Sequence, residues 1–166
     1  MYVIISGTNR LDSHTEKVAI EYQKILKNRR IDAIIVSLKN IEVLKKNATY
    51  LSIENQYLIP AKKFIIIMPE YNGSYPGVLK AMIDISDIRK VWWWKKAVLT
   101  GISTGRAGNL RGMDHMTASL QYMNVYVHPN KLPISSIDKV MDDDGVIYNE
   151  NTLEAIHKQL DQFIKF

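Results

Sequence analysis

Lys63-Phe64-Ile65-Ile66-Ile67-Met68 runs without a break into Pro69-Glu70-Tyr71-Asn72-Gly73-Ser74-Tyr75-Pro76-Gly77, and this junction decides the fold. An apolar run with no polar alternation is the mark of a strand covered on both faces, the situation of a parallel sheet between helices. A strand that stops in prolines, glycines and polar side chains has stopped building core and started building a surface. In open α/β sheets, the surface at the carboxyl ends of the strands is where ligands bind.

Working outward, strand and helix alternate. Tyr2–Ser6 reads as a first strand, and from Thr15 onward Val18, Ala19, Tyr22, Ile25 and Leu26 make one helical stripe. Asp32–Ser37 reads as a second strand, and Asn40–Pro60 as helix and loop. Pro76 is expected in the first turn of a helix whose buried face is Val78, Leu79, Met82 and Ile83. Ala97–Ile102 is a fourth strand, and Met113, Met116, Leu120 and Met123 step along another helix. Val125–His128 is a fifth strand, and Leu153, Ile156, Leu160, Phe163 and Ile164 mark a closing helix. The expectation is one α/β domain over residues 1–166, a three-layer sandwich with a five-stranded parallel sheet in the order 2-1-3-4-5.

Composition fits a soluble protein: 46% hydrophobic, 23% charged, without a signal-peptide pattern or a membrane-spanning run. Cysteine is absent, which excludes disulfides and thiolate chemistry and suits the cytoplasm. The basic residues behind the net charge of +5 are scattered and include an ordinary helix end, Lys27-Asn28-Arg29-Arg30, so nucleic acid is not the expected partner.

Three loops carry the chemistry. The first, Ser6 to Thr15, gathers Thr8, Arg10, Ser13, His14 and Thr15 at a helix N-terminus, where unpaired N–H groups and the dipole favour phosphate. It is neither G-x-x-x-x-G-K-[ST] nor G-x-G-x-x-G, which points to a terminal monophosphate held without a metal. The second, Pro69 to Gly77, can offer backbone groups to the edge of a heterocycle while Tyr71 or Tyr75 covers a ring face. The third, Ser103 to Gly112, has Gly105 and Gly108 three apart, a spacing that permits close backbone approach to a ligand. In the order 2-1-3-4-5 these loops follow strands 1, 3 and 4 and converge.

On these motifs the chain resembles the NADPH-dependent FMN reductase family of flavodoxin-like proteins. That family carries G-S-x-R-x-x-S after the first strand, P-E-Y-N-x-S-x-P-G-x-L-K after the third and a Ser/Gly loop after the fourth. Here they read Gly7-Thr8-Asn9-Arg10-Leu11-Asp12-Ser13, Pro69 through Lys80, and Ser103-Thr104-Gly105-Arg106-Ala107-Gly108. The resemblance implies noncovalent FMN, its phosphate on Thr8, Arg10, Ser13 and Thr15 with His14 nearby. It implies that Pro69, Glu70, Tyr71, Asn72 and Gly73, with Ser103, Thr104, Gly105, Arg106 and Gly108, hold the ring and ribityl chain. NADPH or NADH would be the donor, Tyr75 and Arg111 the candidates for substrate or donor contact, and a small molecule the acceptor. A homodimer or homotetramer is implied too. Thr8 replaces the usual serine, Lys62 and Lys63 stand where aspartate is common, and Trp94 stands where relatives often have glycine. Two other readings are a flavodoxin-type electron carrier and a binding module that has lost its cofactor; a T-x-T-G-x-T loop and an acidic surface, usual for carriers, are absent.

The remaining eye-catching features are read as structural. Trp92-Trp93-Trp94 cannot share one face, Asp142-Asp143-Asp144-Gly145 is a turn rather than a calcium loop, and the four histidines lack metal-ligand spacing.

Overall fold

In the computed structural model, which describes residues Met1–Phe166, β1 (Tyr2–Ser6) leads into α1 (His14–Asn28) and β2 (Ala33–Ser37). A short helix α2 (Ala48–Ile53), continued by a π-helical turn over Glu54–Leu58, precedes β3 (Lys63–Pro69). Then come α3 (Gly77–Ile85), β4 (Lys96–Ile102), α4 (Leu110–Tyr122), β5 (Tyr126–Val127), β6 (Leu132–Ile134) and α5 (Glu150–Lys165). All pairings are parallel and the sheet order is β2-β1-β3-β4-β5, with β6 also on β4. This is the flavodoxin-like 2-1-3-4-5 topology. No helix is long and apolar enough to cross a membrane.

The unbroken apolar run of β3 divides between two cores as its pleat requires. Phe64, Ile66 and Met68 join Val3, Ile5, Leu79, Met82, Trp92 and Met116 on the face covered by α3 and α4. Ile65 and Ile67 join Ile4, Val18, Tyr22, Ile156 and Phe163 on the face covered by α1 and α5. Each strand residue of β3 from Phe64 to Met68 is fully buried, so neither face tolerates a polar side chain.

The fifth strand differs from expectation. Only Tyr126–Val127 pair, with Lys96–Ala97; the ladder then breaks and resumes as Leu132–Ile134 against Thr100–Ile102. Pro129 supplies no N–H at the break, whereas Pro133 is tolerated because its strand lies at the sheet edge. The gap is closed by a side chain from another layer. Gln159 of α5 donates through Nε2 to the carbonyls of Leu99 (3.0 Å) and Asn130 (2.9 Å). Its Oε1 accepts from Tyr22 (2.7 Å) and Thr100 (3.1 Å). Burial holds the Tyr22 phenol well above its ordinary pKa, partly offset by its hydrogen bond with Thr100, so it serves as a neutral donor.

Two smaller corrections concern prolines and tryptophans. Pro76 is the residue before α3 rather than part of its first turn, with ψ of 142° outside the helical range. Trp92 is buried on Phe64 with ring centroids 5.0 Å apart, Trp93 is half-buried under Arg89, and Trp94 is 63% exposed. Trp94 has φ of 62°, a left-handed backbone that explains why glycine suits this position. Asp142–Gly145 is a turn, with the Asp142 carboxylate accepting from the Val146 N–H (2.8 Å) and Gly145 at φ 87°.

Candidate functional site

The loops after β1, β3 and β4 meet at the carboxyl end of the sheet around a cavity with two adjoining lobes. The first lobe, about 280 Å³, is lined by Arg10, Leu11, Asp12, Ser13, His14, Thr15, Pro69, Glu70, Tyr71, Ile102, Ser103, Thr104 and Ile137. The second, about 310 Å³, is lined by Glu70, Asn72, Gly73, Ser103, Thr104, Gly105, Arg106 and Ala107. Glu70, Ser103 and Thr104 border both lobes and make the site continuous.

The first lobe is a bowl at the start of α1. Ser13 caps the helix, its Oγ accepting from the Glu16 N–H at 3.3 Å, while the N–H groups of His14 and Thr15 meet no protein acceptor. Ser6, the last residue of β1, lies on the α1 side like Ile4, and its buried Oγ has no partner. The unpaired amides and Arg10 give the bowl a donor-rich side at the helix start, while the carboxylates of Asp12 and Glu70 also border it. That chemistry fits a phosphate.

The second loop owes its shape to Asn72-Gly73. Tyr71 and Ser74 exchange backbone hydrogen bonds of 2.9 and 3.1 Å, and Asn72 and Gly73 have φ of 53° and 75°. Two consecutive left-handed residues make a type I′ turn, for which Asn-Gly is the preferred sequence. The turn folds Tyr71 back toward the first loop. Its hydroxyl lies 2.6 Å from Thr8 Oγ1, and the Arg10 guanidinium carbon sits 4.2 Å from its ring centre. Ser74 bonds His115 Nδ1 (2.9 Å), which ties the turn to α4.

The third loop is pinned on its outer side. Ser103 Oγ donates to the Gly105 carbonyl and accepts from the Gly108 N–H, both at 2.9 Å, and the Gly105 carbonyl also accepts from Ser136. The inner side depends on Asn109, a buried residue at φ 61°. Its Nδ2 donates to the carbonyls of Met68 (3.1 Å) and Pro69 (2.9 Å), and its backbone N–H donates to Glu70 Oε2 (3.2 Å). One residue thereby fixes the end of β3 against the loop after β4.

Of the residues expected at the site, Arg10, Ser13, His14, Thr15, Pro69, Glu70, Tyr71, Asn72, Gly73, Ser103, Thr104, Gly105 and Arg106 line the cavity. Thr8 does not; it is 1% exposed and lies behind Tyr71. Gly108 is also absent from the lining. A Cβ there would come within 2.6 Å of Pro133, so this glycine serves close packing on β6, while Gly105 faces open space. Tyr75 turns away to Ser119 on α4 (3.4 Å). Arg111 is exposed, its guanidinium 3.8 Å from where a Gly73 Cβ would stand, beside the turn and outside the lining. Sequence reasoning passed over Asn109, although a residue tolerant of left-handed backbone directly after Gly108 was the available signal.

The sheet is flavodoxin-like, and its loops after β1, β3 and β4 shape one cavity at the carboxyl ends of the strands. The sequence model of the NADPH-dependent FMN reductase family matches residues 2–139, and the chain belongs to that family. It is 33% identical over 105 residues to an NAD(P)H-dependent FMN reductase of Pseudomonas aeruginosa, covering 60% of this chain and 56% of that one. It is 28% identical over 112 residues to a 2-hydroxy-1,4-benzoquinone reductase of a Burkholderia species, covering 65% and 61%. Both matches therefore span less than two thirds of those relatives. Among solved structures it is similar to FerB, a flavoenzyme NAD(P)H:(acceptor) oxidoreductase from Paracoccus denitrificans. That similarity has a TM-score of 0.80 at 22% identity and covers 99% of this chain and 94% of that one.

Proposed function

We propose that this chain binds FMN noncovalently in the two-lobed cavity and acts as an NAD(P)H-dependent reductase of a small acceptor such as a free flavin or a quinone. The observation that carries the reading is the first lobe: His14 and Thr15, whose amides are free, and Arg10 line one bowl at the start of α1. Bound FMN would supply the redox chemistry, taking a hydride from the nicotinamide and passing two electrons to the acceptor. The chain's own residues bind and orient. The α1 amides and Arg10 would hold the phosphate, and Pro69 to Gly73 with the 103–107 loop would hold the ring and ribityl chain. A cofactor that carries the electrons makes a protein acid–base pair unnecessary, in keeping with a lining that contains none in mutual contact.

Two measurements test this. Arg10→Ala should weaken FMN about tenfold and leave riboflavin, which lacks the phosphate, unchanged. In the absence of oxygen, NADPH or NADH alone should bleach the bound flavin, and a quinone added afterwards should restore its colour. Bleaching only with donor and acceptor together would rule out alternate use of one site, and no bleaching with either nicotinamide would leave an electron carrier or a binding module.

A homodimer is proposed on the exposed aromatics Trp94, Tyr122 and Tyr126, since Trp92 and Tyr75 are taken up by the protomer itself. Light scattering at micromolar concentration should give twice the chain mass, or four times for a tetramer built of such dimers; a fully active monomer would overturn it.

A further inference from the structure

Of the two residues that share the 2.6 Å hydroxyl contact, Tyr71 lines the bowl and Thr8 does not. We infer that Tyr71 donates its phenolic O–H to the phosphate, and that Thr8 is a positioning residue that acts only by holding that phenol. The inference rests on the phosphate reading of the first lobe.

Hydrogen-bond counting carries the argument. Thr8 Oγ1 has two neighbours, the Arg10 N–H at 3.3 Å and the Tyr71 hydroxyl at 2.6 Å. The Arg10 N–H can only donate, so it occupies one lone pair of Thr8. Thr8 is 1% exposed and its hydroxyl meets no other acceptor, so its proton is satisfied only by pointing at the Tyr71 oxygen. Tyr71 then keeps its own proton. Tyr71 borders the bowl, Thr8 does not, and apart from Thr8 no protein group lies within hydrogen-bond reach of the phenol. A phenolic donor released from Thr8 at the wall of this bowl is available to an acceptor, and an ionised phosphate offers one.

Arg10 covers one face of the Tyr71 ring at 4.2 Å, while Thr8 holds its hydroxyl end. The type I′ turn at Asn72-Gly73 brings the ring back to this position. The second loop therefore contributes to the phosphate subsite as well as to the ring edge. The hydroxyl quoted from the first-loop motif becomes a support beneath it.

The test compares FMN with riboflavin by fluorescence titration, because the ratio of the two affinities isolates the phosphate from damage to the rest of the site. Tyr71→Phe should lose about tenfold in FMN affinity with riboflavin unchanged. Thr8→Val should lose less, Thr8→Ser should restore the wild-type ratio, and Thr8→Val added to Tyr71→Phe should cost nothing more. An additive double variant, or Thr8→Val more damaging than Tyr71→Phe, would overturn the inference by making Thr8 a direct ligand. A Tyr71→Phe protein that binds FMN as tightly as wild type or more tightly would also overturn it. If the wild-type protein binds FMN no better than riboflavin, the phosphate reading itself fails, a result separate from any of these.

Discussion

Gln159→Leu is expected to lower the stability of the fold by about 3–5 kcal/mol, a large share of what a domain of this size has to spare. The substitution leaves the carbonyls of Leu99 and Asn130 without their donor at the point where the ladder between β4 and the fifth strand is broken. It also removes the shared acceptor of Tyr22 and Thr100, though these two hydroxyls, 2.8 Å apart, can still bond each other. Tyr22→Phe, which removes one donor and leaves the Gln159 amide in place, should therefore cost about 1–2 kcal/mol. Urea denaturation measures both. If the Leu variant unfolds at the wild-type midpoint, the broken strand is held by its flanking pairs alone and the amide is incidental. The pair of variants is informative because both sites are completely buried, so neither result can be attributed to surface effects.

This network also marks the boundary of what sequence could reveal. The β3 run from Phe64 to Met68 announced a strand buried on both faces, and the two cores divide its side chains accordingly. The α1 stripe was equally legible, since Val18, Ala19, Tyr22, Ile25 and Leu26 are all buried. Gln159 was not. Along α5 it occupies the same buried side as Ile156 and Phe163, and a lone polar residue there gives no hint of a partner some sixty residues away in a strand. The fifth strand was misjudged for a related reason. Val125–His128 looked sufficient, and Leu132-Pro133-Ile134 did not look like a strand because proline is read against one. Only the edge position, a fact of topology, makes it acceptable.

At the site, the residues were more legible than their roles. Loop placement follows from strand order, so thirteen of the expected residues line the cavity. Thr8 and Gly108 were assigned by motif, and motif position does not determine which way a side chain or a missing Cβ faces. Thr8 is covered by a tyrosine from a loop sixty-three residues away. Gly108 is set against Pro133, which belongs to the strand that sequence reading overlooked. The strand segment hidden by its proline thus also hid the packing partner of Gly108. The Asn-Gly pair was legible as a turn residue by residue, but its consequence, a ring returned onto Arg10, needs the geometry of both loops.

Asn109→Ala is expected to have the largest effect on cofactor binding of any substitution outside the cavity lining, about a hundredfold loss of FMN affinity. Two separate costs contribute. Alanine at φ 61° must adopt a left-handed backbone, which costs about 1–2 kcal/mol of stability. Loss of Nδ2 also frees the carbonyls of Met68 and Pro69, so the end of β3 is no longer tied to the loop after β4. Asn109→Gly separates the two costs, because glycine accepts the left-handed conformation without strain and still lacks the amide. The glycine variant should melt closer to wild type than the alanine variant, yet bind FMN as poorly, since misplacement of Glu70 against Ser103 and Thr104 is common to both. Thermal unfolding without flavin and fluorescence titration with FMN give the two numbers for each protein. Wild-type FMN affinity in Asn109→Gly would show that the Ser103 hydrogen bonds and the packing of Gly108 on Pro133 suffice to place the third loop. The buried amide would then be part of the core and no part of the site.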